Sequence, residues 1–261
     1  MLNFRKNSMD LYFETELGVL YYGDCLEVMK EIPDKSIDMI LCDLPYGVTA
    51  CSWDVLIPLE SLWLQYERII KKNGAIVLTG TQPFVSTLIL SNRSLFRYEL
   101  IWDKKLVTGH LNAHKMPLRV HENILIFYST LPTYNPQKFL GEKNHKTRGS
   151  EKKSNVYGSE RREDNSEILG NWKFPKSILE IEKVPSLLVT VPTQKPIELF
   201  KYLVLTYTNI GEVVLDNCIG SGTTAIACEQ INRKWIGIEK DLEIYKIAKN
   251  RIIQERRKIY K

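Results

Sequence analysis

The chain has 261 residues, 36 Lys and Arg against 31 Asp and Glu, a net charge of +5 and 44% hydrophobic residues. That length suits one α/β domain with an insertion, and the composition is that of a globule with a sizeable core, not of a fibrous or disordered chain. Residues 1–7 run into Asp10, Glu14 and Glu16 without the apolar stretch of a secretory signal, and no later run reaches membrane-spanning length, so a cytoplasmic protein with no membrane partner is expected.

Asp24 is placed to cap a helix over residues 25–31. Residues 36–44 read as an apolar, buried strand that ends in the turn Asp43-Leu44-Pro45-Tyr46. Pro58 suits the start of a helix with Leu59, Leu62, Trp63, Tyr66 and Ile69 on one face, and Asn73-Gly74 is expected to stop it. Strands are predicted over 75–79, 98–102 and 123–128. Beyond Pro196, a helix through Leu199, Tyr202, Leu203 and Thr206 leads to a strand at 213–215 and a glycine turn. A helix over 223–230, a strand at 235–238 and an amphipathic helix begun by Asp241 follow. The alternation predicts an α/β fold with a mostly parallel sheet and helices on both faces.

The basic charge is concentrated. Residues 104–176 hold fourteen Lys or Arg against seven Asp or Glu, while the rest of the chain holds 22 against 24. All four histidines, His110, His114, His121 and His145, lie there, with Tyr134, Phe139, Tyr157 and Trp172 interleaved. Cations suit phosphates and flat rings suit bases, so the segment reads as a nucleic-acid contact in which Lys152, Lys153, Arg161 and Arg162 touch phosphates or read bases. A merely solvated surface is the other reading. The five cysteines, Cys25, Cys42, Cys51, Cys218 and Cys228, form no Cys-x-x-Cys and are expected as small core residues, with no disulfide framework and no metal site.

Two turns carry chemistry. Gly220 and Gly222 follow a strand and open a helix, where a ligand can approach the main chain and free N–H groups favour an anionic group. Glu239, at the end of the next strand, has the spacing of an acid that binds ribose hydroxyls. A nucleoside with a charged tail fits; a tight strand-to-helix turn is the plain alternative. The chain lacks the Gly-Lys-Ser/Thr of a triphosphate loop.

In the other turn, Asp43 and the Leu44 carbonyl can accept the two hydrogens of an exocyclic amino group, whose lone pair is otherwise delocalised into its ring. Pro45 stiffens the turn, and Tyr46 offers a face for a base extruded from a duplex. The plain alternative is an ordinary capped turn.

Taken in order, Gly23-Asp24-Cys25, the strand into Asp43-Leu44-Pro45-Tyr46-Gly47, Trp53-Asp54, Pro192-Thr193-Gln194-Lys195-Pro196 and the run from Asp216 to Thr224 resemble the motifs of the beta-group DNA amino-methyltransferases. The resemblance covers nearly the whole chain. It implies a Rossmann-like S-adenosylmethionine-dependent fold with a permuted motif order: a catalytic half over 1–103, core strands plus a target-recognition insertion over 104–190, and a cofactor half over 191–261. Asp24 and Cys25 would face the cofactor's adenine, Glu239 its ribose, and Asp216, Gly220, Ser221, Gly222, Thr223 and Thr224 its methionine part, with Gln194 and Lys195 in the same cleft.

By that likeness the substrate is adenine N6 in double-stranded DNA, with cytosine N4 as the near alternative because that branch more often has serine where Asp43 stands. A catalytically silent DNA-binding protein is the reading from another class, and an RNA or protein methyltransferase is a third. The sequence departs from the family pattern at Leu44, Asn217-Cys218 and Val191. A second copy of the chain and a restriction nuclease are the candidate protein partners.

Overall fold

The structure is a computed structural model that describes residues 11–47, 55–142, 171–185, 187, 189–191 and 194–259. Cys51, Trp53-Asp54, His145, Lys152, Lys153, Tyr157, Arg161, Arg162 and Pro192-Thr193 lie outside the described residues. In chain order the elements are β1 (Tyr12–Glu14), β2 (Gly18–Tyr22), α1 (Cys25–Lys30), β3 (Ile37–Cys42), α2 (Leu59–Ile69), β4 (Ile70–Gly80), α3 (Phe84–Ser91), β5 (Phe96–Thr108) and β6 (Arg119–Phe127). Then come β7 (Phe139–Leu140), β8 (Trp172–Lys173), β9 (Ile178–Glu180), α4 (Ile197–Tyr207), β10 (Val213–Asp216), α5 (Thr223–Gln230), β11 (Lys234–Glu239) and α6 (Leu242–Ile259).

Nine strands form one sheet in the order β1-β2-β11-β10-β3-β4-β6-β5-β9. The centre, β2-β11-β10-β3-β4, is parallel, while β6 runs antiparallel to both its neighbours. The central strands are apolar at almost every position because both faces are covered. In β3, Ile37, Ile40 and Cys42 belong to one core with α1, α2 and α3, while Met39 and Leu41 belong to the other with α4, α5 and α6. The same alternation sends Ile76 and Leu78 of β4 one way and Ala75 and Val77 the other. The expected α/β architecture is therefore present, with helices on both faces.

Several elements differ from the sequence reading. Asn73-Gly74 does not end the helix: α2 stops at Ile69, and Asn73-Gly74 lie inside β4, where the pairing with β3 slips between Ile37↔Ile70 and Met39↔Ala75. A Cβ at position 74 would lie 2.8 Å from the Asp38 carbonyl, so the glycine serves close strand approach. Strands β5 and β6 are longer than predicted, and Lys104, Lys105 and Arg119 of the basic segment are residues of the large sheet. Helix α3 lacks a capping side chain and is rich in β-branched residues, which hides it from propensity.

The chain forms two compact units, Met1–Asn135 with Ser177–Lys261, and Pro136–Lys176. In the smaller unit, β7 and β8 pair antiparallel and Lys138 Nζ lies 4.9 Å from the centre of the Phe174 ring.

Helix α5 is anchored from within. Glu229 is buried, and its Oε1 accepts from the Thr15 hydroxyl at 2.7 Å and Trp235 Nε1 at 2.9 Å, while Oε2 meets an Arg256 guanidinium nitrogen at 2.6 Å. Truncating the carboxylate removes an acceptor from three donors: Thr15 keeps the Gly18 carbonyl and Arg256 keeps Glu16, but the buried charge loses its closer partner and Trp235 Nε1 loses its bond to Glu229. Glu229→Ala is expected to cost about 3–5 kcal/mol, with Glu229→Gln losing less; the midpoint of urea denaturation measures both.

Candidate active site

The sheet order and crossovers fix where a cleft can open. β3 returns to the sheet through α2 on one face, and β10 through α5 on the other, so the chain departs in opposite directions from neighbouring strands. Ligands bind outside the carboxyl ends at such a switch point. A cleft of about 620 Å³ lies there, lined by the ends of β3, β10 and β11 and by the loop that enters α1.

At one end, Gly220 has φ +52, and a Cβ there would meet nothing closer than the Cys218 carbonyl at 3.9 Å. The space beside its backbone is cleft. Its N–H donates to Glu239 Oε2 at 3.0 Å, and Glu239 Oε1 accepts from the Asp241 N–H at 2.8 Å. Burial raises the Glu239 carboxyl above its ordinary range against the pull of these backbone donors. With the Lys240 N–H also drawing on it, the carboxylate keeps acceptor capacity for a hydroxyl. Asp24 caps α1 through the Leu26 N–H at 2.9 Å, which leaves its backbone and Cys25 at the cleft wall. An open glycine cradle, a held carboxylate and an apolar wall fit a nucleoside with a polar tail.

Asp216 sits beneath, 2% exposed. Its Oδ1 accepts from the Cys218 N–H at 3.1 Å and its Oδ2 from the Thr224 hydroxyl. Burial pushes its carboxyl up to about 7, with the Thr224 and Cys218 donors pulling the other way. An acid raised in the folded state favours folding most below its unfolded value and loses that contribution as pH rises to the folded value. Against Asp216→Asn, the parent is expected to lose relative stability between about pH 4 and 7, on the order of a few kcal/mol. Paired urea melts across that range measure the difference; a pH-independent gap would reject it.

At the other end, the Asp43 carboxylate is already engaged. Oδ1 accepts from the Tyr46 and Thr79 hydroxyls, and Oδ2 takes the Lys195 ammonium at 2.5 Å. A carboxylate offers about four acceptor positions, so the remaining one is on Oδ2. Tyr46 packs one side of its ring near Phe84, centroids 5.3 Å apart. Lys195 is buried, and although burial alone would lower its affinity for a proton, the Asp43 and Glu122 carboxylates raise it, so it stays an ammonium. Such a constellation can accept a hydrogen from a planar amino group while holding the acceptor still.

A family model described as DNA methylase, of the N6 and N4 class, matches residues 37–250. The chain belongs to this family. It is 28% identical over 257 residues to the DNA adenine methyltransferase YhdJ of Escherichia coli strain K12, a match covering 92% of this chain and 84% of the relative. Among solved structures, the M1.HpyAVI–SAM complex is similar at a TM-score of 0.61 and 23% identity, over 89% of this chain and 98% of that one. The PvuII DNA methyltransferase, titled cytosine-N4-specific, is similar at 0.63 and 16%, over 94% and 93%. At those identities the structures speak for the fold.

Within this DNA methylase the cleft collects Asp24, Cys25, Asp43, Leu44, Pro45, Tyr46, Gln194, Lys195, Asp216, Gly220, Ser221, Thr223 and Glu239. Two candidates lie elsewhere. Gly222, φ +83, faces α6, where a Cβ would come 3.3 Å from that of Ala248, and Thr224 is turned toward Asp216. Lys195, read as a cofactor-side residue, is bonded to Asp43.

Of the departures, Asn217 is explained: it is buried and accepts the Tyr66 hydroxyl of α2 at 2.5 Å, tying the two halves of the motif set together. Leu44 is buried at the cleft, and Val191 lines it as an apolar wall. Cys25, Cys42 and Cys228 are buried and Cys218 half-buried. Thr79, Trp102, Glu122 and Lys183 were missed. A carboxylate opening the predicted buried strand at 123–128 was the one available signal, and only for Glu122.

Proposed function

We propose that this chain transfers a methyl group from S-adenosylmethionine to the N6 amino group of adenine in double-stranded DNA, on a base flipped out of the duplex, with the motif order of the beta group. The observation that carries the reading is the open acceptor position on Asp43 Oδ2 in the same cleft as the Gly220–Glu239 cradle. The cofactor supplies an electrophilic methyl on a sulfonium. Gly220, Glu239, Asp24 and Cys25 would hold it. Asp43 and the Leu44 carbonyl draw on the hydrogens of the target nitrogen and return its lone pair to it. Once the nitrogen is alkylated, Asp43 Oδ2 would take the proton it sheds.

Asp43 favours adenine over cytosine, because the cytosine branch more often has serine at that place. Residues 104–176 would read the site, and a nuclease cutting the unmethylated sequence would be the matching partner. Label transfer from S-adenosylmethionine to DNA, RNA and protein in parallel, followed by nucleoside mass spectrometry, is expected to give N6-methyladenine in DNA. N4-methylcytosine would replace the adenine reading, and no transfer to DNA would end the proposal. Replacing Lys152, Lys153, Arg161 and Arg162 with alanine should flatten the salt dependence of DNA binding or relax site choice.

A further inference from the structure

Behind the Asp43–Lys195 pair lies a line of buried charge that the reaction as described does not use. Glu122 of β6 puts Oε2 3.3 Å from Lys195 Nζ and Oε1 3.3 Å from Lys104 Nζ of β5. The order Lys104, Glu122, Lys195, Asp43 alternates in sign. The side chains are 4%, 15%, 6% and 23% exposed in that order, so solvent screens the inner three little. Glu122 stands directly across from Trp102 in the β5–β6 ladder, which fixes its depth.

The geometry points to Glu122 as a positioning residue for methyl transfer: it shares the Lys195 ammonium with Asp43, so that Lys195 holds the reactive Oδ2 in place without consuming its strength as an acceptor. This rests on the amino-methyltransferase reading. Two observations separate it from a plain structural ion pair. Lys195 is drawn toward Asp43, at 2.5 Å, and not toward Glu122, at 3.3 Å. Glu122 Oε2 is closed to solvent, so its longer contact with the Lys195 ammonium is little screened and acts on Lys195 as charge.

Glu122 lines the cleft too, with its Oε2 closed to solvent on the Lys195 side. Transfer of the Lys195 proton along the line is disfavoured, since both carboxylates strengthen the hold on it. Among the described residues, the charged and titratable groups facing this network are Cys42, Tyr46, Lys183 and Asp216.

Glu122→Gln removes the charge and keeps the shape. Lys195 then loses one of the two carboxylates that hold its proton. The upper limb of the kcat–pH profile should move to lower pH. The value of kcat should fall on the order of tenfold to a hundredfold with KM for S-adenosylmethionine within about twofold, the scale of a misplaced catalytic group. Glu122→Asp should restore that limb and part of kcat.

In the free protein, NMR titration of the 13C-labelled Lys195 side chain should show the same downward displacement. An unmoved titration, or a kcat loss matched by a loss of folded protein with that limb in place, would overturn the role. A parent that titrates as expected but methylates no DNA would sink the amino-methyltransferase reading instead, and with it any catalytic meaning of the coupling.

Discussion

Asp43→Asn is expected to lower kcat by roughly 10²–10⁴ while cofactor affinity stays within a few-fold, because in the proposed reaction the residue meets the reacting nitrogen and not the donor cradle. The amide keeps one oxygen for the Tyr46 and Thr79 hydroxyls. At the other position it presents N–H groups, both to the Lys195 ammonium and to the incoming amino hydrogens, where Oδ2 had accepted. A loss confined to turnover marks a contact that matters mainly in the transition state. Single-turnover label transfer at saturating cofactor measures it, and near-parental turnover would remove Asp43 from the mechanism. Tyr46→Ala should act differently, weakening capture of the flipped base by about 1–3 kcal/mol. Since the Tyr46 hydroxyl also donates to Asp43 Oδ1, Tyr46→Phe separates stacking from support of the carboxylate.

Both turns were legible in the sequence because each joins a buried strand to residues that a turn alone does not need: a carboxylate and an aromatic ring after β3, two glycines and an acid after β10. Chain order and short continuous apolar runs also foretold β3, β4, β10 and β11 of the parallel centre, but not β2. What stayed hidden depends on partners distant in sequence. Glu122 and Lys104 are ordinary charged residues until the β5–β6 pairing and the Lys195 side chain bring them together. The basic excess over 104–176 drew the eye to an insertion, while part of it builds the sheet that frames the cleft. Asn73-Gly74 reads as a helix stop by composition, and only the slip between β3 and β4 shows why glycine is there.

The paired glycines show the same limit, and their separation is a test of the donor site. Both have left-handed backbones, φ +52 and +83, yet their surroundings differ. A side chain on Gly220 enters cleft, whereas one on Gly222 presses on the Cβ, Cα and carbonyl of Ala248 at 3.3–3.4 Å, so α6 must shift. Gly220→Val should therefore lose about 2–3 kcal/mol of S-adenosylmethionine binding, roughly 30- to 150-fold, with stability reduced only by the strain of a β-branched residue there. Gly222→Val should instead lose about 2–4 kcal/mol of stability from strain and overpacking together, while the folded fraction binds cofactor nearly as the parent does. Calorimetric titration and thermal melts on the same two preparations give both readings. If Gly222→Val abolishes binding with Tm intact, or Gly220→Val binds normally, the donor does not sit against Gly220, and the cradle at Glu239 belongs to some other ligand.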